Sequence, residues 1–237
     1  MKIAIMGAMP EEVAPILKRL KDYKTTEYAG NKYYEATYNG VELVIAYSKI
    51  GKVFSALTAS TMIEHFGAEK LLFSGVAGAV SPKLKVGDLI VATKLAQHDL
   101  DITAFGHPFG YVPEGSVFVE TDKSLIEISK VVANEMGKSV VEGIIATGDQ
   151  FVANEDRKNW IGSTFGADAL EMEGGSVAVV CDALGVDFFI LRAISDAADM
   201  DASFSFDEFL ETSAKESAEF VMKMVDKIVL SLDNAKN

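Results

Sequence analysis

The chain has 237 residues, 49% of them hydrophobic and only 5 of them proline, which suits a compact folded unit and excludes a disordered one. A formal net charge of −13 argues against nucleic acid, whose phosphates demand a basic surface. The single cysteine, Cys181, excludes an intramolecular disulfide and fits a reducing compartment.

No apolar run approaches the roughly 18 residues of a membrane span. Met1–Gly7 reads as a strand entering a glycine turn, too short for a signal peptide, so a cytoplasmic protein without a membrane partner is expected.

In chain order, Ile3–Met6 reads as a strand and the segment from Glu11 to Lys21 as a helix. Lys32–Tyr38 and Val41–Tyr47 predict a hairpin, since Asn39-Gly40 is a strong type I′ turn signal. Val53–Phe66 predicts an amphipathic helix stopped by Gly67. Lys70–Phe73 reads as a buried strand entering the small-residue stretch Ser74-Gly75-Val76-Ala77-Gly78-Ala79. Asp88–Ala92 and Glu142–Ala146 are further strands, and Ser124–Met136 and Gly175–Leu184 are helices closed by glycine. The apolar helix around Cys181 marks that thiol as a small buried hydrophobe rather than a nucleophile.

Val186–Leu191 is a short, branched and aromatic run, expected to be an internal strand. A last helix from Phe206 or Asp207 to Leu232 places Phe209, Leu210, Phe220, Met224 and Ile228 along one face. Alternating strands and helices without a linker or repeat predict one α/β domain over residues 1–237, its sheet largely parallel with antiparallel pairing from the hairpin.

Chemistry-bearing groups gather where predicted strands end. Arg192-Ala193-Ile194-Ser195-Asp196 delivers a guanidinium, a hydroxyl and a carboxylate at a strand's C-terminal end, before the chain turns through Ala197-Ala198-Asp199-Met200-Asp201. In open α/β sheets that edge is where ligands bind, although a salt-bridged Asp ending a strand is the bland alternative.

Gly7-Ala8-Met9-Pro10-Glu11-Glu12 is a tight turn into a helix that opens with proline and two acids. Acids are routine at helix starts, but here they disfavour a phosphate, which would need free N–H groups. Thr147-Gly148-Asp149-Gln150-Phe151-Val152 leaves a strand with an aromatic that either stacks on a planar ring or belongs to the core. Glu171-Met172-Glu173 alternates two acids, so one points where the other does not; a buried one needs a partner such as Arg192 or substrate hydroxyls.

Metal ligation fits poorly. His98, Asp99 and Asp101 cluster, but only His65 and His107 remain to complete a site, and no zinc spacing is present. Gln97–Asp101 is read instead as a solvated or dimer-contacting loop. No Gly-x-Ser-x-Gly elbow supports a serine triad.

Taken together and in order, these stretches resemble the bacterial 5′-methylthioadenosine/S-adenosylhomocysteine nucleosidases. His98-Asp99-x-Asp101-x-Thr103-Ala104-Phe105-Gly106 and Ser205-Phe206-Asp207-Glu208-Phe209 match as well, so the resemblance covers essentially the whole chain. It implies a purine nucleoside phosphorylase-like fold with a mixed central sheet flanked by helices. A homodimer and hydrolysis of an N-ribosidic bond without a cofactor or metal are implied too.

The resemblance also implies roles. Asp196 would bind the purine N6/N7 edge and protonate N7, with Ser195 beside it, while Glu12 would deprotonate the attacking water near Arg192. Glu173 would grip the ribose hydroxyls with help from the Met172 backbone. Phe151 would stack on the base, and the Val152 backbone would read its edge. Ala8, Met9, Val76, Ala77 and Gly78 would line the site. Ile50 and Phe206, with Phe105 and Pro108 of a partner chain, would enclose the 5′ substituent.

The chemistry itself asks for such groups, because protonating the departing base is the main lever on breaking the C–N bond. That requires a desolvated Asp196 with a raised pKa and an ionised Glu12.

Two residues depart from the family pattern. Val76 stands where many members carry serine, which resembles the subgroup that also cleaves 6-amino-6-deoxyfutalosine on a menaquinone route. Pro10 replaces a frequently charged residue. The nearest rival is a phosphorylase, which would need cationic donors where Glu11 and Glu12 stand. A silent nucleoside-binding protein would have lost Glu12 or Asp196.

Overall fold

The computed structural model describes residues 1–199 and 202–235, without the side chains of 204–205 and 232–235; Met200, Asp201 and the side chain of Ser205 lie outside the described residues. Its centre is β1 (Lys2–Gly7), where the two-residue period sends Ile3 and Ile5 into one apolar cluster and Ala4 and Met6 into another. Helices cover both faces. On the Ile3 side pack α1 (Pro10–Leu20), α3 (Lys123–Glu135) and α6 (Ala202–Ala235). On the Met6 side pack α2 (Lys52–Glu64) and α5 (Gly174–Leu184).

Among the described residues, ten strands join in one mixed sheet. One arm runs outward from β1 through β4 (Val41–Tyr47), β3 (Asn31–Tyr38) and β2 (Lys24–Tyr28). The other runs through β5 (Lys70–Ala79), β9 (Ala169–Glu171), β8 (Val140–Thr147), β6 (Leu89–Gln97) and β10 (Asp187–Asp196), with β7 (Val119–Glu120) on β6. Because β10 also pairs with β5, this second arm closes into a ring. Closure brings the C-terminal ends of β5, β8 and β10 into one neighbourhood, which sets the stage for the site.

The hairpin forms as expected, with φ of 46° at Asn39 and 82° at Gly40, the positive pair a type I′ turn requires. Antiparallel pairing is not confined to it, however: β10–β6, β5–β9 and β6–β7 are antiparallel too. The stretch Ser74–Ala79 is not a loop after a strand but the second half of β5, held by β10 along its length. Similarly, β6 continues to Gln97, and α6 begins at Ala202. The buried face of α6 carries Phe220, Met224 and Ile228, whereas Phe209 is exposed and Leu210 only partly covered. Unforeseen were β2, β7, β9 and α4 (Glu155–Phe165), whose Ile161 and Phe165 pack with Val152 and Ala198 in a third cluster.

Candidate active site

The turn from β1 into α1 places Glu12 at the third helical position, where its carboxylate reaches back over the open N-terminus. Oε2 accepts from the N–H groups of Ala8 (2.5 Å) and Met9 (3.0 Å), and Oε1 from Val76 N–H on β5 (3.2 Å). Glu12 is buried, and burial raises its pKa against the opposing pull of Arg192 and the three N–H donors. An ionised Glu12 was expected from the base role alone. The structure instead sets desolvation against charge partners, which makes the carboxylate a stronger base than a solvated one.

Arg192 lies behind Glu12 on β10, directly paired with Gly75 of β5. Its Nη2 bonds Glu171 Oε2 at 2.6 Å, both side chains are buried, and the guanidinium sits 4.0 Å over the Phe73 ring. Arg192 was expected at the ligand; it stands outside the cavity lining and acts on the cavity through its charge.

Of the two alternating acids, Glu171 is taken up by the fold. Besides Arg192 it accepts from the Thr147 hydroxyl and from the N–H groups of Glu173 (3.1 Å) and Gly174 (2.7 Å) at the start of α5. Glu173 faces the cavity and takes the Gly51 N–H at 2.9 Å. Burial first, then the charge of Glu171, pushes its pKa up to about 8 against the pull of Arg192 and Gly51 N–H.

Asp196 ends β10 after a bulge, where the pairing slips between Ile194 and Asp196. Bulges re-aim side chains, and this one turns the carboxylate into the cavity. Ser195 Oγ donates to Oδ2 and Ala198 N–H to Oδ1, each at 2.8 Å. Burial raises the Asp196 pKa despite these two bonds, with the Asp199 charge adding to the rise. Its partner across the ladder, Gly78, is needed for space, since a Cβ there would fall 2.7 Å from Asp196 Oδ1.

Around these acids the cavity wall is mostly apolar. Ala8, Met9, Val76, Ala77, Gly78, Val152 and Met172 line it, with Ile50, Phe151 and Phe206 at its edge. Ile50 and Phe151 are exposed, and Phe151 meets Phe206 edge-on with ring centroids 5.7 Å apart. Ser195 reaches the cavity beside Asp196.

Phe105 and Pro108 do not line the cavity of their own chain; both are exposed, Phe105 to 81%. Leu170 and Gln150 line the cavity without having been singled out, as does the edge of Glu171. His98 was read as part of a solvated or contacting loop. It is in fact buried against Gly148 with Nδ1 3.1 Å from Arg157 Nη2, and its pKa is pushed down to about 4 by burial and then by that guanidinium. Cys181 is buried, with its pKa pushed up to about 12. Among the described residues no helix is long and apolar enough to cross a membrane.

Four buried carboxylates, Glu12, Glu171, Glu173 and Asp196, thus border one largely apolar cleft. The phosphorylase superfamily model matches residues 2–226. The chain is 59% identical to the aminodeoxyfutalosine nucleosidase of Campylobacter jejuni, over 96% of this chain and 100% of that protein. It is 40% identical to the 5′-methylthioadenosine/S-adenosylhomocysteine nucleosidase of Geobacillus kaustophilus, over 95% and 97%. The native structure of futalosine hydrolase of Helicobacter pylori superposes with a TM-score of 0.94 at 50% identity, over 96% and 98% of the chains. The chain therefore belongs to the phosphorylase superfamily and, within it, to the 5′-methylthioadenosine/S-adenosylhomocysteine nucleosidase family.

Proposed function

We propose that this protein hydrolyses the N-ribosidic bond of 5′-methylthioadenosine, S-adenosylhomocysteine and 6-amino-6-deoxyfutalosine, with water as nucleophile and adenine as the released base. The observation that carries this reading is that Glu12, Glu173 and Asp196, all buried, open into one cavity. The family relatives named for these substrates support it.

Each carboxylate has one task. Glu12 takes a proton from water as the oxygen attacks C1′, its geometry held by the three backbone N–H donors. Asp196 gives its proton to N7 as the C1′–N9 bond breaks, so the base leaves neutral. A raised pKa keeps that proton in place at higher pH than a solvated Asp would. Glu173 grips the ribose hydroxyls, with the Met172 backbone beside it. Phe151 stacks on the base, the Val152 backbone reads its edge, and Ile50 and Phe206 border the 5′ substituent.

A phosphorylase would need free cationic donors where the nucleophile sits. Glu12 fills that place, and Arg192 behind it is ion-paired with Glu171 and stands outside the cavity lining. No cofactor enters these steps.

The working unit is a homodimer in which Phe105 and Pro108 of one chain close the other chain's cavity. Supporting this, α2 exposes Val53, Phe54 and Leu57, and the exposed Ile50 lies just before its N-cap, apolar surface that a monomer would leave wet. A cytoplasmic location belongs to the same reading, supported by the single, unpaired Cys181.

Adenine release from methylthioadenosine and from aminodeoxyfutalosine in phosphate-free buffer tests the reaction, and sedimentation velocity tests the dimer. Turnover that requires phosphate would overturn the first; a monomer active at nanomolar concentration would overturn the second.

A further inference from the structure

Three chain segments meet beside Glu173 in a closed ring of hydrogen bonds. The Lys52 N–H, first in α2, donates to Asp149 Oδ1 at 2.7 Å. The Asp149 N–H donates to Asp99 Oδ2 at 2.8 Å. The Lys52 ammonium closes the ring on Asp99 Oδ1 at 2.6 Å. None of the three side chains lines the cavity.

The ring's position is what gives it consequence. Gly51, the N-cap of α2, has φ of 101°, a conformation open to glycine and costly for other residues. Its N–H points at Glu173 Oε1, 2.9 Å away. The first two N–H groups of α2 thus lie on two carboxylates from elsewhere in the chain, Glu173 and Asp149, where a helix N-terminus attracts negative charge. Asp149 packs so closely on Gly51 that a Cβ there would lie 2.9 Å from Oδ1.

The Asp149 carboxylate and its backbone hold different things. The wall carrying Gln150, Phe151 and Val152 is fixed independently of that carboxylate, by Gly148 N–H on Glu171 O (3.1 Å), Asp149 N–H on Asp99, and Arg157 Nε on Gln150 Oε1 (3.2 Å). Truncating the Asp149 side chain leaves those bonds and releases the α2 terminus.

Resting on the reading of Glu173 as the ribose ligand, we propose that Asp149, with Lys52 and Asp99, is a positioning residue that holds the Gly51 N–H on Glu173 and so orients the ribose-binding carboxylate. The ring touches neither base nor reacting atoms. Its loss is felt by ligands that carry ribose and not by free adenine.

The test compares KM for methylthioadenosine with the inhibition constant of free adenine in wild type, Asp149→Ala, Asp149→Asn and Glu173→Ala. For Asp149→Ala we expect KM to rise about tenfold, the scale of one well-placed hydrogen bond, with adenine inhibition unchanged. Asp149→Asn keeps an oxygen for the Lys52 N–H and restores KM to within about threefold of wild type. Lys52→Gln cuts the ring at Asp99 while keeping both backbone donors; it shifts KM in the same direction and spares adenine, and it serves if Asp149→Ala does not fold.

An unchanged KM in Asp149→Ala, or nucleoside and adenine weakened alike, overturns the proposal. Glu173→Ala separates the two levels. A wild-type KM there removes Glu173 as the ribose ligand, whereas a raised KM there with an unaffected Asp149→Ala removes only the ring.

Discussion

Arg192 and Gly75 face each other across β10 and β5, and a Cβ at Gly75 would lie 2.5 Å from the Arg192 Nη1 and 2.9 Å from Glu12 Oε1. The glycine is therefore the space in which the buried Arg192 guanidinium and the Glu12 carboxylate approach each other. Gly75→Ala forces one of them to move, against the three backbone N–H groups that hold Glu12 or the Glu171 ion pair and Phe73 ring that hold Arg192. We expect a loss of about 1–3 kcal/mol in stability, typical of overpacking, together with a fall in kcat. Thermal melts and adenine-release kinetics check both; a variant with wild-type values in each would show that the pair can shift at no cost.

Much of this geometry was legible in the sequence because each group sits beside a small residue at a strand end. Gly7, Gly75 and Gly78 mark where carboxylates and guanidinium crowd the backbone. What stayed hidden was register. Ser74–Ala79 read only as a small-residue stretch beyond a strand, because small residues look alike in turns and in strands that face a ligand, and only the β10 ladder distinguishes them.

The elements missed are those with weak periodicity. β2 is an edge strand with most residues exposed on both faces, so it shows no alternation. α4 had its signals, Asn154 capping Arg157 N–H and Gly166 at φ 64° past its end, but only Ile161 and Phe165 are buried on it. His98 could not be separated from its exposed neighbours, since nothing local reports that Gly148 lies against its ring.

Asp196→Asn removes the transferable proton and keeps one oxygen for the Ala198 N–H, while its NH2 takes the other position and donates to the Ser195 hydroxyl oxygen where the carboxylate accepts from it. Turnover should fall at least about 10²-fold, the scale of general acid catalysis, while the fold and nucleoside binding persist. Calorimetric titration with methylthioadenosine and a stopped adenine assay read the two quantities separately. Near wild-type turnover would remove Asp196 as the acid.

Glu12→Gln has a structural cost as well as a chemical one. Three backbone N–H groups converge on the two carboxylate oxygens, with Arg192 behind them, and a carboxamide can offer only one oxygen. Its NH2 must face either the Ala8 and Met9 donors or the Val76 donor. The variant should bind nucleoside, lose hydrolysis and lose about 1–3 kcal/mol from the donor left without an acceptor. Retained hydrolysis, followed by adenine absorbance, would overturn the base assignment.

Glu173 ties stability to pH. Its pKa rises from an ordinary 4.5 to about 8 on folding, because burial and the Glu171 charge outweigh Arg192 and the Gly51 N–H. A native state that holds its proton more tightly than the unfolded chain is favoured below the unfolded pKa and loses that advantage as pH rises through the folded one. The Glu173 contribution is thus complete below about pH 4.5 and is lost progressively up to about pH 8. Glu173→Gln is neutral at every pH and keeps an acceptor for Gly51. Its melting temperature should therefore decline less between pH 6 and pH 9 than that of wild type, and should exceed wild type at the alkaline end. Melting curves of the two proteins across that range decide it: parallel declines would mean that Glu173 is ionised throughout, and that the buried charge is carried by its neighbours at no cost to the fold.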